Sequence, residues 1–405
     1  MNWLTLPRHR EKFAALFLLA MAISHGAMVF NVAPSLKNGY QDFTIFYTAA
    51  TMLRSGQASS LYDADAQYQT EKEFAPDVRI RHAALPYVHT PFEALLFVPF
   101  TFLGYVPAYA LWTVLNVALI VLNLWLLRRN FPEIGALSPV LIGLSAAGFF
   151  PIAIGLIQGQ DTILVLLSVV LCLVLLKDKR DVSAGLALGL GLFKFHFIGP
   201  LALILAFRRP RLLLGFVPVA LGLGALSISM VGVQGVGHYV HYVLNLERTG
   251  AGGAIMASDM PNLRGLIDTA FGLRTDTTAS MAITLISSIA VLWTTKWTVG
   301  KGQESVLHTF ALATIAAILV SYHALPYDLV LLFPSVLMLL ANAVSEETQM
   351  SAVDTGLLVL FFLTPLYVLL WLHLNQFAWF GLLLICRMIR LDRSGTSEAI
   401  HQEAT

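Results

Sequence analysis

The sequence predicts an all-α, polytopic integral membrane protein, a bundle of about 12 membrane helices. Of its 405 residues, 57% are apolar and only 12% are charged, against about 25% charged in ordinary globular chains. Apolar runs approaching the ~20 residues that a span requires recur along the whole chain. The charged residues gather in short clusters between those runs. A water-soluble core and a disordered chain are excluded, and so is an outer-membrane barrel, whose alternating pattern is missing. A net charge of +1 gives no electrostatic reason to expect nucleic acid as a partner. Cys172 and Cys386 both sit inside apolar runs, so no disulfide framework is expected.

Arg8, Arg10 and Lys12 precede an apolar run over about residues 13–33. This predicts an uncleaved first helix with residues 1–12 in the cytoplasm. Residues 34–86 then form an extracytoplasmic loop in which Lys37, Arg54, Lys72, Arg79 and Arg81 face six carboxylates. After Asp42, the side chains of Phe43, Phe46, Tyr47, Ala50 and Leu53 share one helical face, and Thr44, Thr48, Thr51 and Ser55 share another. That pattern predicts a helix lying in the membrane interface. The stretch 88–127 reads as two spans, or as one re-entrant helix and one span; only the second keeps Arg128 and Arg129 cytoplasmic.

Basic clusters at Lys177, Lys179 and Arg180 and at Arg208, Arg209 and Arg211 mark the cytoplasmic face again. Only about 25 apolar residues separate them, whereas two crossings need roughly 40. The segment must be a short hairpin or a pair of half-helices, with its apex near Lys194, Phe195 and His196. Broken helices survive at membrane depth where they line a polar cavity, so the geometry points to a site. Later spans are expected near 212–231, 277–295, 304–320, 326–343, 353–371 and 377–390. A second amphipathic segment, 235–248, carries Val236, Tyr239, Val240, Val243 and Leu244 as its apolar stripe. Residues 13–395 form one integral domain, and 396–405 form a cytoplasmic tail.

Polar groups inside such a chain are functional suspects, and there are few of them. Asp42 follows the first span, His89 and Glu93 begin the helix after the long loop, and Gln158, Gln160 and Asp161 interrupt a long apolar stretch. Lys194 and His196 sit in the broken segment, and His323 and Asp328 flank a Pro-containing turn. Each has a plainer reading. Asp42, Asp161 and Asp328 are as readily helix caps, Lys194 as readily snorkels to a headgroup, and His196 as readily is a satisfied interior histidine. Asp63 and Asp65 are expected to start a loop helix. No spacing suited to a metal is present, and Asp42 has no carboxylate two residues away. A phosphate-binding Gly-Lys-Ser/Thr loop and a serine nucleophile elbow are also missing, so no cofactor and no metal are expected.

The ordered pieces Asp42-Phe-Thr-Ile-Phe-Tyr-Thr-Ala-Ala50, Leu61-Tyr-Asp63, Tyr87-Val-His-Thr-Pro91, Gly159-Gln160, Ala184-Gly185 with Lys194, Arg208-Arg209 and Tyr327-Asp-Leu329 resemble the family 87 glycosyltransferases over roughly residues 10–345. The resemblance implies a GT-C type helical bundle and transfer of a sugar, usually mannose, from a polyprenyl-phosphate carrier. It further implies inversion at the anomeric carbon without a metal. By resemblance Asp42 is the catalytic carboxylate of the first outer loop, His323 a second active-site residue, and Lys194 the cation that meets the donor phosphate. His196, Arg264 and Arg81 are weaker candidates for the phosphate. Tyr47, His89, Gln160, Asn262, Tyr327 and Asp328 are candidate substrate contacts.

The residues themselves suit acid/base chemistry on a substrate whose charged head lies in the interface, with Asp42 as general base and cations for the departing phosphate. The expected partners are a polyprenyl-phosphate-sugar donor, a lipid or glycan acceptor and membrane lipids, at the outer face of the inner membrane. The competing reading is a non-catalytic lipid or solute transporter, for which a buried cation in a broken helix is also suited. No inverted repeat accompanies it.

Overall fold

In a computed structural model of the chain, all residues are described except 1–6, 40, 77–84, 250–255, 273–276, 302–304, 346–349 and 404–405. Every regular element among the described residues is helical. Helix α1, Pro7–Val32, is the apolar run expected from the sequence. It is followed by α2, Phe43–Arg54, and α3, Ala64–Glu71. Asp63 caps α3 by accepting from the Ala66 amide, as its position before a polar helix suggested.

The ambiguous stretch after the loop resolves as a short helix and one span. Helix α4, Pro91–Phe97, tightens into a 3-10 segment, Val98–Phe102, and α5, Tyr105–Asn130, then runs 26 residues. Pro91 stands at the first position of α4 and Pro99 near the start of the tight segment, where a missing amide hydrogen costs least. Next come α6, Pro139–Ala147, and α7, Phe150–Gln158, bent by 56° to each other, and α8, Thr162–Lys177.

The segment between the basic clusters is a pair of half-helices. Asp181–Gly189 (α9) breaks at Leu190 and Gly191, and Leu192–Arg208, which contains α10 (Phe195–Arg208), leaves it at 71°. Lys194 lies in the first turn after the break. Helix α11, Leu212–Thr249, kinks at Gly232. It packs so closely on α9 that a Cβ on Gly185 would fall 1.9 Å from the Leu212 carbonyl oxygen; small residues permit this approach. The chain continues through α12 (Leu263–Phe271), α13 (Thr277–Lys301), α14 (Val306–Val320) and a tight segment, Pro326–Leu332, leading into α15 (Phe333–Val344). It ends with the bent pair Ala352–Phe362 and Thr364–His373 and a final helix, Gly381–Glu403.

The span count falls below the expected 12. Among the described residues, five helices are long and apolar enough to cross a membrane, or up to eight if each of three bent pairs is one span. Apolar runs that read as separate crossings are here short or broken helices: α8 has 16 residues and α14 has 15.

Helix α2 does not present the upper part of its threonine face to water. Nine of its residues are buried, including Thr44 and Thr48 on the polar face. Thr48 and Thr51 donate to the carbonyls of Thr44 and Tyr47, each at 2.7 Å, and the Thr44 hydroxyl meets that of Tyr105 at 2.8 Å. Once those hydroxyls are satisfied, the threonine face can enter a core. That core is aromatic: Phe43, Phe46 and Tyr47 of α2 pack with Phe97, Tyr105, Tyr109 and Trp112. In 235–248 the expected apolar stripe divides. Val236, Val240 and Leu244 are exposed, whereas the Tyr239 hydroxyl turns in and donates to Val88 O at 3.3 Å.

Candidate active site

Asp42 stands at the start of α2, yet its side chain caps nothing. Its backbone N–H donates to Gln158 Oε1 at 3.1 Å, and its Oδ2 accepts from Gln160 Nε2 at 2.7 Å. Both glutamines flank Gly159, which ends α7 in the left-handed region with φ +65°. A Cβ there would fall 2.8 Å from that of Phe43 and 3.0 Å from the Tyr109 ring. Glycine therefore serves twice, permitting the turn and letting α2 come close enough for Gln160 to reach Asp42.

The other end of the Gln160 amide faces the lysine. Lys194 Nζ lies 3.4 Å from Gln160 Oε1, 3.4 Å from Asp161 Oδ1 and 3.5 Å from Asp328 Oδ1. It is 3% exposed, so this lysine does not snorkel. It ties the start of α8 and the Pro326 turn to the break between α9 and α10. One amide therefore separates the carboxylate of the first loop from the ammonium at the half-helix apex. Asp328 also accepts from the Leu325 amide at 2.8 Å, so its capping role and its ion pair coexist. Asp161 makes no cap bond.

Beside this cluster opens a cavity of about 420 Å³ whose polar wall includes Lys194, His196, His323, Arg264, His89 and Tyr327. Phe193, Phe195, Val243 and Leu246 supply apolar wall. Such a size and such a mixture suit a small polar ligand with an apolar attachment. Asp42 does not line the cavity. It is joined to it through Gln160 and Lys194.

His196 Nδ1 meets the Ser321 hydroxyl at 2.9 Å, and that hydroxyl donates to the His323 carbonyl at 2.6 Å. Burial, with Lys194 and Arg264 next, pushes His323 down to about 3. The imidazole is neutral there, and its Nδ1 is buried without a hydrogen-bond partner. Burial likewise pushes His89 down to about 4, against the opposing pull of the nearby carboxylates. Both rings can exchange hydrogen bonds with a ligand, but neither adds a positive charge. Among the candidates considered, cationic character in the cavity rests on Lys194 and Arg264. Arg264 lies over the Tyr322 ring, 4.3 Å from its centroid.

Two expected substrate contacts are occupied elsewhere. The Tyr47 hydroxyl donates to Leu103 O at 2.7 Å and its ring packs on Phe74 and Tyr105, so it belongs to the aromatic core. Asn262 is fully buried as the N-cap of α12: its Oδ1 accepts from the Gly265 amide and its Nδ2 donates to Ser321 O, both at 2.8 Å. Arg81 lies outside the described residues. Glu93 and Asp161, functional suspects in the sequence but not candidate substrate contacts there, are both fully buried beside His89, and Asp268 was not singled out in the sequence. Asp268 lines the cavity and accepts from the Ser280 hydroxyl. The His89–Glu93 spacing of one helical turn was a usable signal; nothing in the sequence pairs Glu93 with Asp161.

Residues 87–321 match the pattern of glycosyltransferase family 87. The match includes His89, Gln160, Lys194, His196 and Arg264, starts after Asp42 and stops just short of His323. No curated protein and no solved structure matches the chain.

Proposed function

Because the chain belongs to glycosyltransferase family 87 and is thus a glycosyltransferase, we propose that it transfers a hexose, mannose in the first instance, from a polyprenyl-phosphate carrier to a lipid or glycan acceptor. The site then lies at the extracytoplasmic face of the cell membrane, in a GT-C type bundle, with the short loop helices packed into the helical body. The observation that carries this reading is the Gln160 amide, which holds Asp42 on one side and Lys194 on the other beside a cavity of about 420 Å³. A carboxylate and a cation so joined can act at opposite ends of one displacement.

In that displacement Asp42 takes the proton from the acceptor hydroxyl as its oxygen bonds to the sugar C1. The bond from C1 to the phosphate oxygen breaks, and the polyprenyl phosphate leaves with the electron pair. Attack from the face opposite the phosphate inverts the anomeric carbon. Charge developing on the leaving phosphate needs fixed cations, a role suited to Lys194 with Arg264. His196 and neutral His323 donate hydrogen bonds to the phosphate or the sugar, and Gln160 orients Asp42. Exposed Phe195 and the aliphatic wall of α11 suit a polyprenyl chain entering from the lipid. The family match favours transfer over transport.

The test is incubation of the purified protein with labelled polyprenyl-phosphate-mannose and a membrane lipid extract. A labelled product should form and should fall about 100- to 10,000-fold with Asp42→Asn, the span typical of a lost general base. Retention of most activity by Asp42→Asn would remove Asp42 from the chemistry.

A further inference from the structure

His89 lines the cavity and keeps 14% of its side chain exposed, whereas Glu93 behind it keeps none. The ring nitrogen Nδ1 meets Glu93 Oε2 at 3.1 Å, and Oε1 lies 3.0 Å away. The ring also packs edge-to-face on Phe46 and tilted against Tyr87, with centroids 5.0 and 5.4 Å apart. Two hydroxyls pin the chain around it: Tyr62 donates to His89 O and Tyr87 to Thr90 O, each at 2.7 Å. Among the described residues Nε2 makes no hydrogen bond. An imidazole held by its backbone, by two aromatic rings and through Nδ1 has the Nε2 edge left for the cavity.

The direction of the contact with Glu93 decides what His89 can hold. A carboxylate accepts hydrogen bonds and donates none. Its two oxygens stand almost equally far from Nδ1, as when one N–H is shared between them. A carboxyl O–H aimed at the ring would bring one oxygen close and turn the other aside. The neutral ring carries one proton, so placing it on Nδ1 leaves Nε2 with a lone pair. That lone pair repels phosphate oxygens, which only accept, and takes a hydroxyl. Lys194 and Arg264 line the same cavity and suit the phosphate, so the hydroxyl belongs to the sugar joined to it.

We propose that Glu93 is a positioning residue whose carboxylate holds the His89 ring with its proton on Nδ1, so that Nε2 accepts a hydrogen bond from a hydroxyl of the donor sugar. The hydroxyl donates, and no proton changes hands. A site built to pair with a hydroxyl rejects a sugar that lacks it, because the ring nitrogen is then left unpaired. Recognition of the sugar thus sits at the entrance to α4, apart from the cations that serve any lipid phosphate. The tautomer stands on the contacts of His89 and Glu93 alone. The identity of the ligand rests on the transferase reading above.

Nitrogen NMR of the purified full-length protein with isotope-labelled histidine tests the tautomer, the His89 signals being those missing from His89→Phe. Wild type should show a protonated Nδ1 and an unprotonated Nε2; a ring protonated on Nε2 overturns the proposal whatever any variant does. Binding is then measured with polyprenyl-phosphate-mannose and with polyprenyl phosphate lacking the sugar. Glu93→Leu and His89→Phe should each bind the mannosylated lipid about tenfold more weakly, the loss of one hydrogen bond. Both should bind the sugar-free lipid within about twofold of wild type. Glu93→Gln, whose carbonyl oxygen can still accept from Nδ1, should restore most of the loss. A folded Glu93→Leu that binds both lipids like wild type overturns the proposal. Equal weakening for the two lipids overturns it as well, by giving Glu93 a merely structural part. Binding of neither lipid by wild type removes the polyprenyl-phosphate reading, while the tautomer, measured without ligand, stands or falls by itself.

Discussion

Replacing Gln160 with leucine keeps most of the side-chain volume and deletes both ends of the bridge between Asp42 and Lys194. The two contacts are unequal. The bond from Gln160 Nε2 to Asp42 Oδ2 is 2.7 Å, whereas Lys194 approaches Oε1 at 3.4 Å and keeps Asp161 and Asp328 as stronger partners. The loss therefore falls on Asp42. A hydrogen bond to a charged group contributes about 1.5–3 kcal/mol. If it serves to aim the carboxylate at the acceptor, turnover should fall roughly 10- to 150-fold at about 1.36 kcal/mol per decade. The chain should still fold, because the ion pairs of Lys194 are untouched. The assay is labelled-sugar transfer by purified Gln160→Leu, Asp42→Asn and the double variant. Residues acting as one unit are not additive, so the double variant should be no slower than Asp42→Asn alone. If the Gln160 change slowed Asp42→Asn by its full single-variant factor, the bridge argument would be refuted.

Two further outcomes follow from the site's surroundings. His323 is held neutral, down to about 3, so unfolding lets it take up a proton once the pH is below its ordinary value of about 6.5. Stability should fall as pH drops from 7 towards 5, by up to about 1.4 kcal/mol per pH unit from this group. Melting curves of His323→Gln should be flatter over that range, and equal slopes for the two proteins would contradict the assignment. Tyr47→Phe removes one hydrogen bond, to Leu103 O, and should cost about 0.5–1.5 kcal/mol of stability. Transfer activity should be unchanged within about twofold, since its ring and hydroxyl face the aromatic core; a large loss of turnover would return Tyr47 to the substrate site.

What could be read from the sequence was whatever depends on neighbours along the chain. The distance between two basic clusters was too short for two crossings, and that alone located a break close to Lys194. Asp63 before a polar helix was legible as a cap for the same local reason. The placement of α2 was not, because a threonine stripe reads as water-facing unless Thr48 and Thr51 are seen to bond back to the preceding turn. Span counting failed where single apolar runs bend at 56°, 71° and 68° into half-helices, since hydropathy records length and not direction. The meeting of Glu93 with Asp161 depends on how α4 lies against α8, which no pattern in one sequence encodes. Asn262 misled for a related reason: a polar residue in a turn can serve a ligand or a helix end, and the choice is made by Gly265 and Ser321.

Lys194 and Asp42 will respond differently to engineering. The lysine is a keystone: three pieces of the chain rest on its ammonium, so altering it confounds reactivity with architecture, and an inactive protein would say little about either. Asp42 holds up no helix end and can be exchanged without pulling on the frame. Attempts to retune this protein for another sugar or acceptor should leave the keystone in place and work outward from the first loop.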